Sequence, residues 1–473
     1  MNLRVIALAA MMAFAGWDAS AKVKLPAFFS SGMVLQQQTT CRIWGTASTN
    51  SRVKVVTSWN GKHYQTVSNA QGQFEVKVAT PAAGGPYSIT LDDGEKTTLD
   101  SILIGEVWLC SGQSNMEMPI KGFKAQPVEG AINEILNGAD DNLRFFSVKR
   151  NPALTPQSDV TGKWTAANSA SIREFSATAY FFGKQLRASL KVPVGLLLTA
   201  YGGSACEAWQ TGEWLKAFPE VKLPTDQETV DKLKQRCPTA LYNGMLHPLI
   251  GYGIRGAIWY QGEDNVNRYA NYARLMKSMV EGWRQEWGLG DFPFYYCQIA
   301  PYDYSLIKWD MNSAFLREQQ LKAESMISNC RMAVLMDAGL KYGIHPRKKQ
   351  LAGQRLAMLA LANTYGVKGL PDYAVYSSME IHGDTCVLRF DRSKEWVYFN
   401  NGTTSNLFKV AGADRVFHPA QAWVSGNRVY VKSTEVGHPV AVRYAFTDWA
   451  EGDLFHDGLP VSSFRTDNWD DVK

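Results

Sequence analysis

A chain of 473 residues is too long for one ordinary domain, and 45% hydrophobic with 20% charged residues describes a soluble globular protein with ample core. A formal charge of +5, carried without a basic run or a nucleic-acid motif, argues against a nucleic-acid partner. No stretch reaches about 18 uninterrupted apolar residues, which argues against insertion into a membrane.

Taken in chain order, Arg4 precedes the apolar run from Val5 to Gly16, and Ala19-Ser20-Ala21 fits a small-residue cleavage site. This predicts a secretory leader over residues 1–21, cut before Lys22, and an exported protein, periplasmic or secreted. The seven cysteines are scattered without metal-ligand spacing. Cys110 and Cys297 read as buried thiols, and Cys206 with Cys237 is a conceivable disulfide that spacing cannot establish.

Residues 22–100 alternate apolar and polar positions in Arg42–Gly45, Arg52–Val56, Gln73–Val78 and Tyr87–Leu91, separated by Gly-containing turns. Short strands at this spacing predict a β-sandwich. From 101 to 370 the texture becomes α/β. Strand-like runs at 103–110, 192–198, 254–260, 292–299 and 332–336 alternate with helical segments at 126–137, 178–190, 268–287, 312–328 and 346–364, which implies a parallel sheet with ligands at its carboxyl edge. Residues 371–473 are β-rich again, with Ser425-Gly426-Asn427 as a hairpin turn.

Within the α/β region, polar residues stand where strands should end. Ser114 follows the apolar run Val107–Cys110, in the position where hydrolases expose a nucleophilic hydroxyl at a strand-to-turn junction. The stretch is not G-x-S-x-G, so that elbow motif does not apply. Gly202-Gly203-Ser204 could bring backbone N–H groups close to a ligand, as an oxyanion hole requires, although a plain tight turn uses the same residues. Gln261 could donate to an oxyanion, and Glu263 could orient a base or simply suit a helix N-terminus. His247, between Leu246 and Pro248, reads as a packed structural ring. His345 follows an α/β strand on a loop leading into a helix at Pro346 and is the expected general base. Fifteen tryptophans suit sugar stacking or, more simply, aromatic cores. Tyr302-Asp303-Tyr304 and Trp309 could line a pocket, and Arg255 or Arg317 could meet a sugar carboxylate.

Gly112-Gln113-Ser114-Asn115-Met116, Tyr260-Gln261-Gly262-Glu263 and Ile344-His345-Pro346 with Lys349 and Gly353 resemble the sequence blocks of SGNH (GDSL-type) hydrolases, specifically the sialate O-acetylesterase-like carbohydrate esterases. Met33–Gln36, Glu207-Ala208-Trp209, Leu241–Met245, Pro439–Tyr444 and Phe464–Asp467 extend the resemblance over nearly the whole chain after residue 21. It implies a three-layer α/β/α SGNH domain with a parallel sheet, flanked by an N-terminal β-sandwich and a C-terminal β-rich region. It also implies Ser114 as nucleophile and His345 as base, with the N–H groups of Ser114 and Gly203 and the Gln261 side chain as oxyanion donors. The implied reaction releases O-acetyl groups from carbohydrates through an acyl-enzyme and uses no cofactor.

One position departs from that pattern. The family usually carries an acid three residues before the histidine, and Tyr342 stands there. A third group to fix the imidazole must then come from Asp337, from Glu263 or from a backbone carbonyl, or turnover is impaired. A glycan-binding protein without turnover and a serine hydrolase of another ester are the competing readings.

Overall fold

The computed structural model describes residues 22–307, 312–393 and 396–471; the expected leader and Trp309 lie outside them. Six strands form the centre: β1 (Lys96–Gly112), β2 (Asp140–Ser147), β3 (Val194–Ala200), β4 (Gly256–Tyr260), β5 (Phe294–Cys297) and β6 (Cys330–Ala333). Their spatial order is 6-5-4-1-3-2, and every adjacent pair is parallel. Trp164–Ala167 adds an antiparallel edge beside β2.

The side chains of β1 alternate between two cores. Val107 and Leu109 pack with the aromatic cluster of α3 (Tyr272–Trp287), including Met276 and Trp283. Trp108 and Cys110 pack with Phe181 and Phe182 of α2 (Ala177–Leu190) and Leu356 of α5 (Lys349–Asn363). With helices on both faces, β1 to β6 are apolar throughout much of their length, as buried parallel strands must be. Trp108, Trp209, Trp259 and Trp283 are all fully buried, so these four indoles are core.

The five expected α/β strands are present. β2 was not expected, because Asp140, Asp141 and Arg144 mask its apolar residues. Arg144 is accommodated by the carbonyls of Gly32 (2.7 Å) and Ser101 (2.5 Å), which satisfy a charge at the sheet margin. The helix expected over 126–137 begins at Ala131, after Pro127 and with the left-handed Gly130 at its N-cap. The segment before it, from 119 to 130, is loop.

β1 runs through two sheets. Its first half pairs antiparallel with Gly84–Asp92, in the register Ile89↔Leu99, and its second half lies between β3 and β4. Arg52–Thr57 and His63–Val67 extend the first of these sheets, while Thr40–Thr46 and Gln73–Ala79 form a separate antiparallel pair. The expected boundary at residue 100 therefore falls inside a continuous strand.

After α5 the chain forms a seven-stranded antiparallel sheet whose first strand, Val375–His382, and last, Phe464–Arg465, are the two ends of the strand order. Tyr376 and Phe464 stack with ring centroids 4.8 Å apart, bringing those ends together into a near-barrel. This region clasps α4 (Ala314–Met326). Arg465 makes a bidentate pair with Glu318 (2.8 Å each), and Arg317 donates to Ser463 Oγ (3.0 Å) and the Thr447 carbonyl. Arg317 is fully buried in that contact, and Arg255 pairs with Glu106 in the middle of β1, so neither is placed to receive a sugar carboxylate. All seven cysteines are buried free thiols, including Cys206 and Cys237.

Candidate active site

The carboxyl end of β1 sets the first residue of the site. Gly112 has φ +141°, and a Cβ there would stand 2.2 Å from the Tyr260 carbonyl, so only glycine lets β1 and β4 end this close together. Gln113 follows and turns the chain into a single helical turn, α1 (Ser114–Glu117). The Gln113 Oε1 accepts the Gly262 N–H at 3.1 Å, which fastens the turn to the end of β4. Ser111 points into the core, and Ser114 is half-buried at the first position of α1.

Gly202 and Gly203 come from the turn after β3. A Cβ on Gly202 would lie 3.3 Å from the Ser114 Cβ, so the turn sits directly against the serine. Glu117, at the end of α1, accepts the Gly202 N–H at 2.7 Å and is itself held by Arg150 at 2.6 and 2.7 Å. Arg150 in turn lies over the Tyr201 ring at 4.4 Å. Among the described residues, the N–H groups of Ser114 and Gly203 have no hydrogen-bond acceptor in the protein, whereas that of Gly202 is committed.

Gln261 lies beneath this turn and is not a donor to the site. It is fully buried, its amide nitrogen donates to the Ser204 carbonyl (3.0 Å) and Asn265 Oδ1 (2.7 Å), and its oxygen accepts from Tyr272 (2.8 Å). Both amide hydrogens are used, so it braces the Gly202–Ser204 turn from below.

Asn115 joins the serine helix to the histidine loop. Its Nδ2 donates to Glu263 Oε1 at 2.5 Å and to the Ile344 carbonyl at 3.1 Å, while its Oδ1 accepts from Lys349 on α5. Lys349 and Glu263 are both buried. Burial pulls the Lys349 ammonium down to about 7, opposed by the charge of Glu263. Burial likewise pushes the Glu263 carboxyl above its usual range, opposed by the hydrogen bond from Asn115 and the charge of Lys349. Glu263 Oε2 has no hydrogen-bond partner.

His345 follows Ile344 and is pulled down to about 4, first by desolvation and second by Lys349. Its Nδ1 lies 2.5 Å from the Oε1 of Gln126, and its ring meets that of Phe123 edge-on at 5.1 Å. Neither expected acid serves it. Asp337 gives both carboxylate oxygens to Arg355 (2.7 and 2.6 Å), pinning the loop after β6 to α5, and Glu263 serves Asn115. Tyr342, at the position of the missing acid, is 74% exposed. His247 packs as expected, with its Nδ1 2.9 Å from the Gln157 carbonyl.

The structure thus gathers Ser114, Gly203 and His345 at one edge of the sheet, with Glu263 in the floor, and moves Gln261 and Asp337 into structural duty. Sequence reasoning missed Glu117, Arg150 and Gln126. Glu117 is readable, three residues after the serine; Gln126 carries no signal because its segment has a helical pattern. Two residues beyond Gly203, a cavity of about 640 Å³ opens, lined by Ala205, Glu207, Arg236, Asp264, Arg268 and Tyr269. Arg268 pairs with Glu207 (3.3 Å) and Asp264 (3.5 Å), and Arg236 with Asp264 (2.5 Å).

Parallel strands with helices packed on both faces carry serine, glycine and histidine at their carboxyl edge, and the proteins this chain is similar to are carbohydrate esterases. A crystal structure of a carbohydrate acetylesterase from Xanthomonas citri superposes with a TM-score of 0.86 at 36% identity, covering 95% of this chain and all of that one. Sialate O-acetylesterase of rat is 29% identical over 73% of this chain and 74% of its own length, and that of mouse 27% identical over 90% of each. The family model for carbohydrate esterase, sialic acid-specific acetylesterase, matches residues 104–362, from the middle of β1 to the end of α5. The chain belongs to this family.

Proposed function

We propose that this carbohydrate esterase removes O-acetyl groups through an acetyl-enzyme on Ser114, with His345 as general base, on an SGNH-type α/β/α domain. The supporting observation is Asn115, whose one side chain is bonded to the residue before His345 while its backbone adjoins Ser114. The Ser114 Oγ attacks the acetyl carbonyl carbon and passes its proton to His345 Nε2. The N–H groups of Ser114 and Gly203 receive the oxyanion. Collapse of the tetrahedral intermediate breaks the bond to the sugar oxygen, which leaves as a hydroxyl protonated by His345. Water, deprotonated by the same nitrogen, then releases acetate and frees Ser114. With its imidazole pulled down to about 4, His345 is neutral near pH 7 and ready to accept that proton.

Acetylated carbohydrate is the substrate class. The predicted leader adds export to this proposal, so the enzyme would meet extracellular or periplasmic glycans. The test is an acetate-release panel of 9-O-acetyl sialic acid, acetylated xylan and acetylated mannan, run with wild type, Ser114→Ala and His345→Ala. Release by wild type and its loss in both variants is expected. Full activity in Ser114→Ala sinks the assignment, and binding without release by wild type sinks turnover itself.

A further inference from the structure

We propose that Gln126 takes the place of the missing acid, as the positioning residue that fixes the tautomer and orientation of His345. This rests on the reading of His345 as base.

An amide oxygen can only accept, so the His345 Nδ1 facing Gln126 Oε1 at 2.5 Å must carry the hydrogen. That leaves the Nε2 lone pair free, the tautomer a general base needs. In a triad a carboxylate does this work and also stabilises the imidazolium that forms. A neutral amide does the first task and only part of the second.

The loop is built to hold this side chain in place. Phe123 and Gln126 exchange backbone hydrogen bonds of 3.1 and 3.0 Å, closing a tight turn. At Gly122, where φ is +80°, a Cβ would stand 2.2 Å from the Gln126 carbonyl, so the turn tolerates no side chain there. Phe123 places its ring against the imidazole, and the Glu129 N–H donates to the Arg347 carbonyl at 3.1 Å, tying this loop to the one that carries His345. Neither carboxylate suggested by the sequence bonds the imidazole: Asp337 gives both oxygens to Arg355, and Glu263 gives one to Asn115 while the other has no hydrogen-bond partner. The depressed value of His345 agrees with a neutral partner, since a carboxylate on Nδ1 would raise it.

Lys349 on α5 is the charged group that acts on the ring; Lys124 and Glu129 belong to the Gln126 loop, Lys341, Arg347 and Lys348 to the histidine's own loop, and Glu263 lies across Asn115. A carboxylate introduced at 126 would add to this set an anion in direct contact with Nδ1.

The experiment compares Gln126→Ala and Gln126→Glu with wild type, Ser114→Ala and His345→Ala on one acetylated substrate. Gln126→Ala should lower kcat about 10- to 100-fold with KM within about twofold, because the base is mispositioned while substrate contacts stay. Gln126→Glu should restore kcat to within about threefold of wild type and move the acid limb of the kcat/KM profile upward by about one pH unit. A downfield Nδ1–H proton resonance, assigned by its absence in His345→Ala, should persist in wild type and Gln126→Glu and vanish in Gln126→Ala. If Gln126→Ala does not fold, Gln126→Met replaces it with the same expectations. Wild-type kcat in Gln126→Ala (or Met), or a Gln126→Glu variant as slow as it with an unmoved acid limb, overturns the proposal. Activity in Ser114→Ala or His345→Ala would instead overturn the underlying reading, so the two failures are distinguishable.

Discussion

The floor of the site and the clasp on α4 are both buried polar networks, built in opposite ways. In the clasp and the barrel beside it, each guanidinium meets matched carboxylates or carbonyls: Arg465 with Glu318, and Arg443 with Asp467 at 3.0 and 2.8 Å. In the floor, one amide, Asn115, is shared among a lysine, a glutamate and a carbonyl, and Glu263 keeps an oxygen without a partner. The first arrangement secures geometry through bidentate pairs, and only Arg465 Nη1, 3.8 Å from Asp467 Oδ1, is left without a hydrogen bond among these guanidinium groups. The second accepts displaced protonation equilibria in order to bring Ser114, His345 and Lys349 together.

The comparison can be broken at its weakest joint. Asn115→Ala removes the bridge between the serine helix and the histidine loop, and kcat/KM should fall about 100-fold or more, since displacing reacting groups by about 1 Å costs that much. Steady-state kinetics on an acetylated substrate checks this, and a loss below tenfold would show that the joint is dispensable. Arg443→Met should do the reverse. Removing one partner of this fully buried pair should destabilise the fold by about 3–5 kcal/mol, read by denaturant unfolding, with kcat per folded molecule unchanged.

A smaller effect is expected at Glu117→Ala, which frees the Gly202 N–H and loosens the turn proposed to receive the oxyanion: kcat should drop roughly tenfold with little change in stability, in keeping with the loss of one charge-assisted hydrogen bond. The pH profile sharpens the contrast further. In the proposed role of base, His345 works only as neutral imidazole, so activity should hold as pH falls from 7 and be lost only on passing through about 4, well below the ordinary histidine range. Tyr342→Phe should change kcat by less than about twofold, because the ring that stands at the expected acid position is 74% exposed.

Much of this was legible from residue patterns. Apolar runs ended by glycine and polar residues marked β1, β3 and β4, because a buried parallel strand and its functional carboxyl end differ sharply in polarity. β2 escaped because its charged residues find partners far away in sequence: Arg144 the carbonyls of Gly32 and Ser101, and Asp140 the guanidinium of Arg187. The roles of Gln261 and Asp337 depended on which partner reached them first in space, Asn265 or an oxyanion, Arg355 or a histidine, and spacing along the chain does not encode that. Gln126 was hidden for a further reason: Pro127 and Gly130 delay the helix by five residues relative to its helical pattern, and that delay leaves the glutamine free to face the ring.

The continuous path of β1 has a consequence for how the molecule is made. Its antiparallel partner, Gly84–Asp92, is a hairpin's reach away and emerges from the ribosome just before it, whereas its parallel neighbours β3 and β4 arrive roughly a hundred and more residues later. The N-terminal sheet can therefore extend the strand and fix its register before any catalytic partner exists. It would act as a template for the strand that leads into Ser114. Truncation at the point where the family match begins, residue 104, should then yield a chain that assembles slowly and aggregates, even though every residue of the site is still present.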